Sequence, residues 1–372
     1  MSEAESQTAS PPPAWLKWLV PGWTAGMIAL FAASGWYLIS ETHQARLEAQ
    51  ARHRERIEAS DTSHGGPSAD GTDWSSVTKV KVGCYLDRII GLSVREAGWT
   101  ADFFVWFVWK GDKVNPPETM QVVDGEIEQK EKVRVETLPD GQTYALYRVR
   151  ARITKFFSVA RFPADDHLLT LRLEDGAHDQ NRVQFVPDAD NSGISSRVSV
   201  SGYVIGPVSV IVKPHAYKTT QGDPRLPKGY QATYSQLIYA IAIKRGDAGF
   251  YVKVFQGLFA AVAIAFIVFF IKPTDVDPRF GLGVGSFFAA IANCYITAQL
   301  IPDTGQLSLA DKVNGFAIIT IFLTLVQSTV SLYVFDILGQ EALSRKFDKV
   351  SAVIMVPAYA LINYLLYRAA VG

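Results

Sequence analysis

Four apolar runs, at 252–271, 280–301, 314–335 and 350–367, follow one another in the last third of the chain. Each is near the length that crosses a bilayer as a helix, and each ends in charge or proline: Lys272-Pro273, Pro302-Asp303, Asp336 and Arg368. Buried core helices of a soluble protein are the alternative, but four such runs in succession leave too little polar surface for a solvated fold. A four-helix transmembrane domain is therefore expected over 248–372. The second run is unlike the others. It carries Gly281, Gly283 and Gly285 at alternate positions and a ladder of Ser286, Asn293, Thr297 and Gln299. Such a helix suits packing among other helices, lining a path for water or ions, better than lipid on every side.

Ahead of the spans, from Thr78 to Gly246, short apolar and aromatic runs (80–85, 103–109, 144–153, 168–173, 204–212) alternate with turn signals such as Asp124-Gly125, Asp140-Gly141, Asp175-Gly176 and Lys228-Gly229. Many strands at this spacing, with no helix-length period between them, imply an antiparallel β-sandwich over 77–247. Residues 60–73 read as a flexible linker, and the alternating Glu and Arg of 41–58 as a charged helix laced by i,i+4 pairs. Together, 41–76 joins the sandwich to an earlier apolar run, 23–39, which comes after Pro11-Pro12-Pro13 and the pair Trp15 and Trp18. That run, within a segment 1–40, reads as a signal peptide or an uncleaved signal anchor. Its length and its single basic residue, Lys17, favour the anchor. Arg46, Arg52, Arg54 and Arg56, on its carboxyl-terminal side, count against export of the chain beyond it.

Hydrophobic residues make up 48% of the chain and charged residues 19%, with no net charge, which argues against a nucleic-acid partner. Only Cys84 and Cys294 are present, one in a strand-like run and one in a span, so neither a disulfide nor a metal framework is expected. No cofactor is implied. Asp165-Asp166-His167 and His178-Asp179 set carboxylates beside histidine, but neighbours on a strand point to opposite faces, so adjacency is no catalytic geometry. No phosphate loop, HExxH or nucleophile elbow occurs, and an enzyme is not expected.

Several local sequences, in order, resemble the prokaryotic pentameric ligand-gated ion channels, relatives of the Cys-loop receptors. The run 80–94 followed by Asp102-Phe-Phe-Val-Trp106 looks like the first two strands of that family's extracellular domain. Phe162-Pro163-Ala164-Asp165 resembles the signature of its central loop, without the flanking cysteines, as in prokaryotic members. Arg245 stands where the family places a basic residue before the first span. Asp277-Pro-Arg-Phe-Gly-Leu-Gly-Val is similar to the start of the pore helix, Leu300-Ile-Pro302 closes it, and the short connection at 337–348 fits a bacterial member. The resemblance covers roughly 77–370; the amino-terminal span lies outside the usual plan.

The resemblance implies a homopentamer in a bacterial inner membrane, in contact with lipid, with the sandwich in the periplasm and the second span around a central pore. The lining series would be Asp277, Gly281, Gly285, Phe288, Ala292, Tyr295 or Ile296, and Gln299. A ring of Asp277 would concentrate inorganic cations, and Phe288 would form an apolar gate that dewets. Two expectations compete with this: the stripe Ser286, Ala290, Asn293, Thr297, about one residue (100°) round, could line the pore instead, and Arg279 could favour anions. The coupling cluster would join Asp165 and Pro163 to Arg245. Its third, acidic position is taken by Ser93, with Glu96 as a substitute. Ligand would bind between subunits under the loop 215–236, at Tyr217, Tyr230 and Tyr234 with Trp106 or Phe104 of a neighbour, a cage suited to an ammonium group. Protons sensed by His167 or His178 are the other agonist considered. The rival of another class is a non-conducting membrane-anchored sensor or scaffold, since glycine also permits close helix packing.

Overall fold

The computed structural model describes residues 14–58, 77–219, 232–246 and 248–372. Period-two patterning produces ten strands: β1 (Thr78–Ser93), β2 (Gly98–Lys110), β3 (Met120–Val122), β4 (Gly125–Thr137), β5 (Gln142–Thr154), β6 (Asp166–Asp175), β7 (Val183–Pro187), β8 (Gly193–Ile194), β9 (Tyr203–Ala216) and β10 (Thr233–Arg245). All five apolar runs read as strands fall inside β1, β2, β5, β6 and β9. One sheet has the order β4-β5-β2-β1-β7, with β8 also on β1; the other has the order β3-β6-β10-β9. The first sheet is mixed, not purely antiparallel, because β7 and β8 pair parallel to β1. The chain reaches β7 after leaving β6 in the other sheet, and a crossover of that kind, unlike a hairpin, permits parallel pairing.

Alternate residues of both sheets enter one buried apolar cluster. Val80, Val82, Cys84 and Leu86 of β1, Phe103, Val105 and Phe107 of β2, Leu169 and Leu171 of β6, and Leu237, Tyr239 and Ile241 of β10 all belong to it. The second sheet is also covered on its other side, where Leu168, Ile238 and Ala240 form a smaller cluster with Ile57. Ile57 comes from the amino-terminal helix.

That helix, α1 (Leu16–Ile57), has 42 residues. At 1.5 Å per residue it is about 63 Å long, roughly twice the hydrocarbon thickness of a bilayer. A short helix, α2 (Pro116–Thr119), precedes β3, and four long helices come after the strands: α3 (Ala248–Ile267), α4 (Val276–Ala298), α5 (Leu309–Leu332) and α6 (Glu341–Val371). Five helices, α1 and α3 to α6, are long and apolar enough to cross a membrane. α1 runs parallel to α6: the Trp23 ring is tilted against that of Phe347, with centroids 5.2 Å apart, and Gly35 lies against Ile362. It also meets α5, through Phe31 against Phe316 and a 3.2 Å ion pair between Glu41 and buried Lys312. Beyond that pair it leaves the other helices and runs up the second sheet, where Lys213 Nζ donates to the Glu55 carbonyl at 2.7 Å. The charged segment 41–58 is thus the second half of one continuous helix seated on the strands.

Gly83 of β1 stands opposite Trp106 of β2, and a Cβ there would meet the indole ring at 2.1 Å. Gly83→Ala is expected to cost about 1–3 kcal/mol through overpacking. A lower melting midpoint of the detergent-solubilised protein checks this, and an unchanged midpoint would contradict it.

Candidate functional site

The loop from Thr154 to Asp165 is the physical joint between the strands and the helices. A helix start leaves backbone N–H groups without partners inside the helix. At the start of α5 two of these donate to the loop: Leu309 N–H to the Ala160 carbonyl at 3.0 Å and Ala310 N–H to the Phe162 carbonyl at 3.0 Å. Ser308 caps the same turn in a reciprocal arrangement with Asp311. Arg161, which is buried, donates to the Ala370 carbonyl at the end of α6 at 3.2 Å and pairs with Asp166. Phe162 packs edge-on to Phe250 at the start of α3. One loop thereby holds α3, α5 and α6.

Asp165 anchors that loop. Its Oδ2 accepts from His167 Nε2 at 2.5 Å and from the Tyr203 hydroxyl at 3.0 Å, and its Oδ1 accepts from Arg245 Nε at 3.2 Å. The Arg245 guanidinium lies 4.0 Å from the Tyr203 ring centroid and 4.3 Å from that of Phe250. Burial by itself would raise the Asp165 carboxyl; the hydrogen bond and charge of His167 and the charge of Arg245 outweigh it and hold the group at about 2. Asp165 and Arg245 are brought together, and Pro163, buried, lies in the same loop two residues before Asp165. Glu96 is not. It is exposed, and its backbone N–H bonds to Ser93 Oγ at 3.1 Å. Its neighbour Arg95 instead donates to the Gln299 carbonyl at the end of α4, at 3.0 Å. The β1–β2 turn therefore touches the helices through Arg95. His167 and Tyr203 take the places beside Asp165 where an acidic partner for Arg245 was expected.

α4 divides cleanly into two faces. Arg279, Gly283, Ser286, Ala290, Asn293 and Thr297 are buried. Asn314 of α5 fills the polar part of this stripe: Asn293 Nδ2 donates to its Oδ1 at 2.9 Å, and its own Nδ2 donates to Thr297 Oγ1 at 2.9 Å. A Cβ at Gly283 would meet Leu325 of α5 at 2.3 Å, so glycine there permits close approach of the two helices. Arg279, fully buried, donates to Asp348 of α6 at 2.7 Å, and Asp348 also accepts from Gln327 of α5 at 2.6 Å. Asp277, Gly281, Gly285, Phe288, Ala292, Tyr295, Ile296 and Gln299 are all exposed, Phe288 by 65% and Tyr295 by 68%. The two stripes are not one residue apart. At 100° per residue their mean directions differ by roughly 155°, so they lie on nearly opposite sides of the helix.

In the strands, Tyr217 and Tyr234 meet edge to face with ring centroids 5.4 Å apart, and His215 lies 4.5 Å from Tyr217. Both His215 and Tyr217 point at Glu174, a fully buried carboxylate that also accepts from Gln236 at 2.5 Å. Burial and then the Glu174 charge push the Tyr217 hydroxyl up to about 12, so it stays a donor. Glu174 and His215 were missed because they sit on different strands. Tyr230 lies outside the described residues. Phe104 and Trp106 belong to the other sheet and point away from its core. Phe104 packs under Arg148, and Trp106 Nε1 donates to Asp188 at 3.0 Å. Within one chain they do not join the tyrosines. His178, the other histidine weighed as a proton sensor, bonds Asp175 Oδ1 at 3.1 Å.

No model of a known protein family matches the chain, and no curated protein matches it either.

The folded-state pKa of Asp165 lies below the unfolded value of about 4. Its stabilisation is therefore complete above pH about 4 and is lost as pH falls through about 2. Asp165→Asn is expected to cost roughly 2 kcal/mol or more at pH 7 and to flatten the acid limb of the stability profile between pH about 4 and about 2. Melting curves across that range check both effects; an unchanged midpoint at pH 7 would contradict them.

Proposed function

We propose that the chain is one subunit of a homopentameric, cation-selective channel of the prokaryotic ligand-gated kind, with a β-sandwich domain, a four-helix pore domain and an added amino-terminal span. The observation that carries this reading is the division of α4. Its hydrogen-bonding side chains at 286–297 are turned inward or used up by Asn314, while a free face offers Asp277, two glycines, an apolar ring residue and Gln299. Glycine, aspartate and glutamine make a poor surface for lipid and a reasonable one for water. Five such faces round an axis would set Asp277 at one mouth and Phe288 at an apolar constriction. Arg279, the residue an anion-selective reading would need, is buried against Asp348, which favours cations.

The loop 154–165 gives such a channel its coupling. Movement of the strands that carry Asp165 and Arg245 would pass to α5 through the Ala160 and Phe162 carbonyls, and to α4 through Arg95. Glu174 beneath Tyr217 and Tyr234 suits a small cationic agonist such as an amine, drawn by the carboxylate and the aromatic faces. Phe104 and Trp106 of the neighbouring subunit would complete the cage. Proton agonism would act instead through His167, the buried partner of Asp165.

The charge pattern supports one orientation. The helix ends away from the strands carry Lys17, Lys272, Arg345, Lys346 and Lys349, which supports that side as cytoplasmic and the strands as periplasmic in a bacterial inner membrane. The arginines of α1 at the opposite end belong to a helix seated on the strands, and a domain of this size is exported largely regardless of such charges.

Purified protein in planar bilayers under asymmetric KCl, with amines applied and pH stepped, tests the proposal. Gated current reversing toward the cation potential is expected. Phe288→Ala should raise resting leak, and Asp277→Asn should move the reversal potential toward zero. Silence from a folded pentamer, Phe288→Ala included, would favour a non-conducting scaffold and overturn the reading.

A further inference from the structure

A cavity of about 240 Å3 lies where the upper half of α1 passes over the loop between β5 and β6. Its α1 wall is Glu48, Arg52, His53 and Arg56, one face of the helix at spacings of three and four; the opposite wall includes Lys155, Arg161 and Asp166. Both acids are already engaged. Glu48 pairs with Arg52 at 3.4 Å, and Asp166 pairs with Arg161. Asp124, a further carboxylate acting on this cluster, is bound to Arg172. Arg56 and Lys155 are left with no side-chain hydrogen bond or ion pair among the described residues. Burial, then the charges of Arg56 and Arg172, press the Lys155 ammonium down to about 8. Burial and the charges of Arg46 and Arg52, opposed by Asp165, bring Arg161 down to about 10. Like charges gathered in a half-enclosed space destabilise the fold unless a counter-charge joins them.

We propose that this cavity binds a phosphate-type dianion, clamped between Arg56 of α1 and Lys155 of the loop, with His53 as a further hydrogen-bond donor. Two unmatched cations call for two negative charges, and a guanidinium fork beside an ammonium suits a tetrahedral oxyanion. The volume accommodates a phosphate group with several waters at about 30 Å3 each. Gln306, from the connection between α4 and α5, forms part of the rim, which puts the site at the ends of the spans, where lipid headgroups sit. The phosphate can therefore come from the phosphomonoester headgroup of a lipid or from free solution. Bound there, it fastens α1 to the loop that carries Asp165. Any effect on gating rests on the channel reading; the binding does not.

Thermal unfolding tests binding without reference to current. The intact protein in detergent is titrated with inorganic phosphate at constant ionic strength, and in parallel is placed in nanodiscs of phosphatidylcholine with or without phosphatidic acid. The wild-type midpoint should rise and saturate in at least one arm. A response to phosphate in detergent identifies a free anion as sufficient, and a response to phosphatidic acid alone identifies the headgroup. Arg56→Gln combined with Lys155→Gln should abolish the rise. Because it removes repulsion, this variant should melt no lower than wild type in phosphate-free detergent. No rise in either arm, or an equal rise in the double variant, would overturn the site, the latter by showing only the general stabilisation that phosphate gives through exclusion from protein surfaces.

Discussion

A carboxylate buried between two domains stays charged only if its surroundings supply protons and positive charge, and the arrangement around Asp165 follows from that demand. His167, Tyr203 and Arg245 converge on it from β6, β9 and the end of β10. Meeting the demand draws three strand ends together just above the helices. It also fixes the loop before Asp165 so that its carbonyls face the unpaired N–H groups of α5. The strands are thus attached to the helices by hydrogen bonds that each side needs for its own completion. A displacement of one would strain these bonds, which is what the channel reading proposed above requires.

The same rule of completion sorts the faces of α4. Polar side chains inside a membrane domain must find partners, and Asn314 supplies them to Asn293 and Thr297. What remains outside includes Gly281, Gly285, Phe288 and Tyr295, the aliphatic Val284, Ile291 and Ile296, and polar residues at both ends. Polarity by itself is thus a poor guide to which side of such a helix is exposed. Ser286, Asn293 and Thr297, the polar side chains of the middle of the helix, are buried.

Local features were legible in the sequence wherever the physics is local. Period-two apolar runs with Asp-Gly turns marked the strands, and apolar length marked the spans. The Glu and Arg alternation after residue 40 marked a helix, whereas the joint at Phe162-Pro163-Ala164-Asp165 and Arg245 was reached only through the resemblance. Features set by long-range pairing were not legible. The parallel pairing of β7 depends on a crossover between sheets, and the inward turn of Ser286, Asn293 and Thr297 depends on an asparagine twenty-one residues beyond Asn293. The seating of α1 on the second sheet depends on Leu168, Ile238 and Ala240 meeting Ile57, residues far apart in the chain. Glu96 was chosen for its charge, whereas its neighbour Arg95 has the reach to Gln299.

The central claim is that the exposed face of α4 meets water and the buried stripe does not. Single cysteines placed along α4 in a background free of Cys84 and Cys294, probed with a membrane-impermeant thiol reagent in intact vesicles, test it most directly. The account predicts labelling at 281, 285, 288, 292, 295 and 299, with protection at 283, 286, 290, 293 and 297. Labelling of the second set with protection of the first, or no periodic labelling at all, would contradict it.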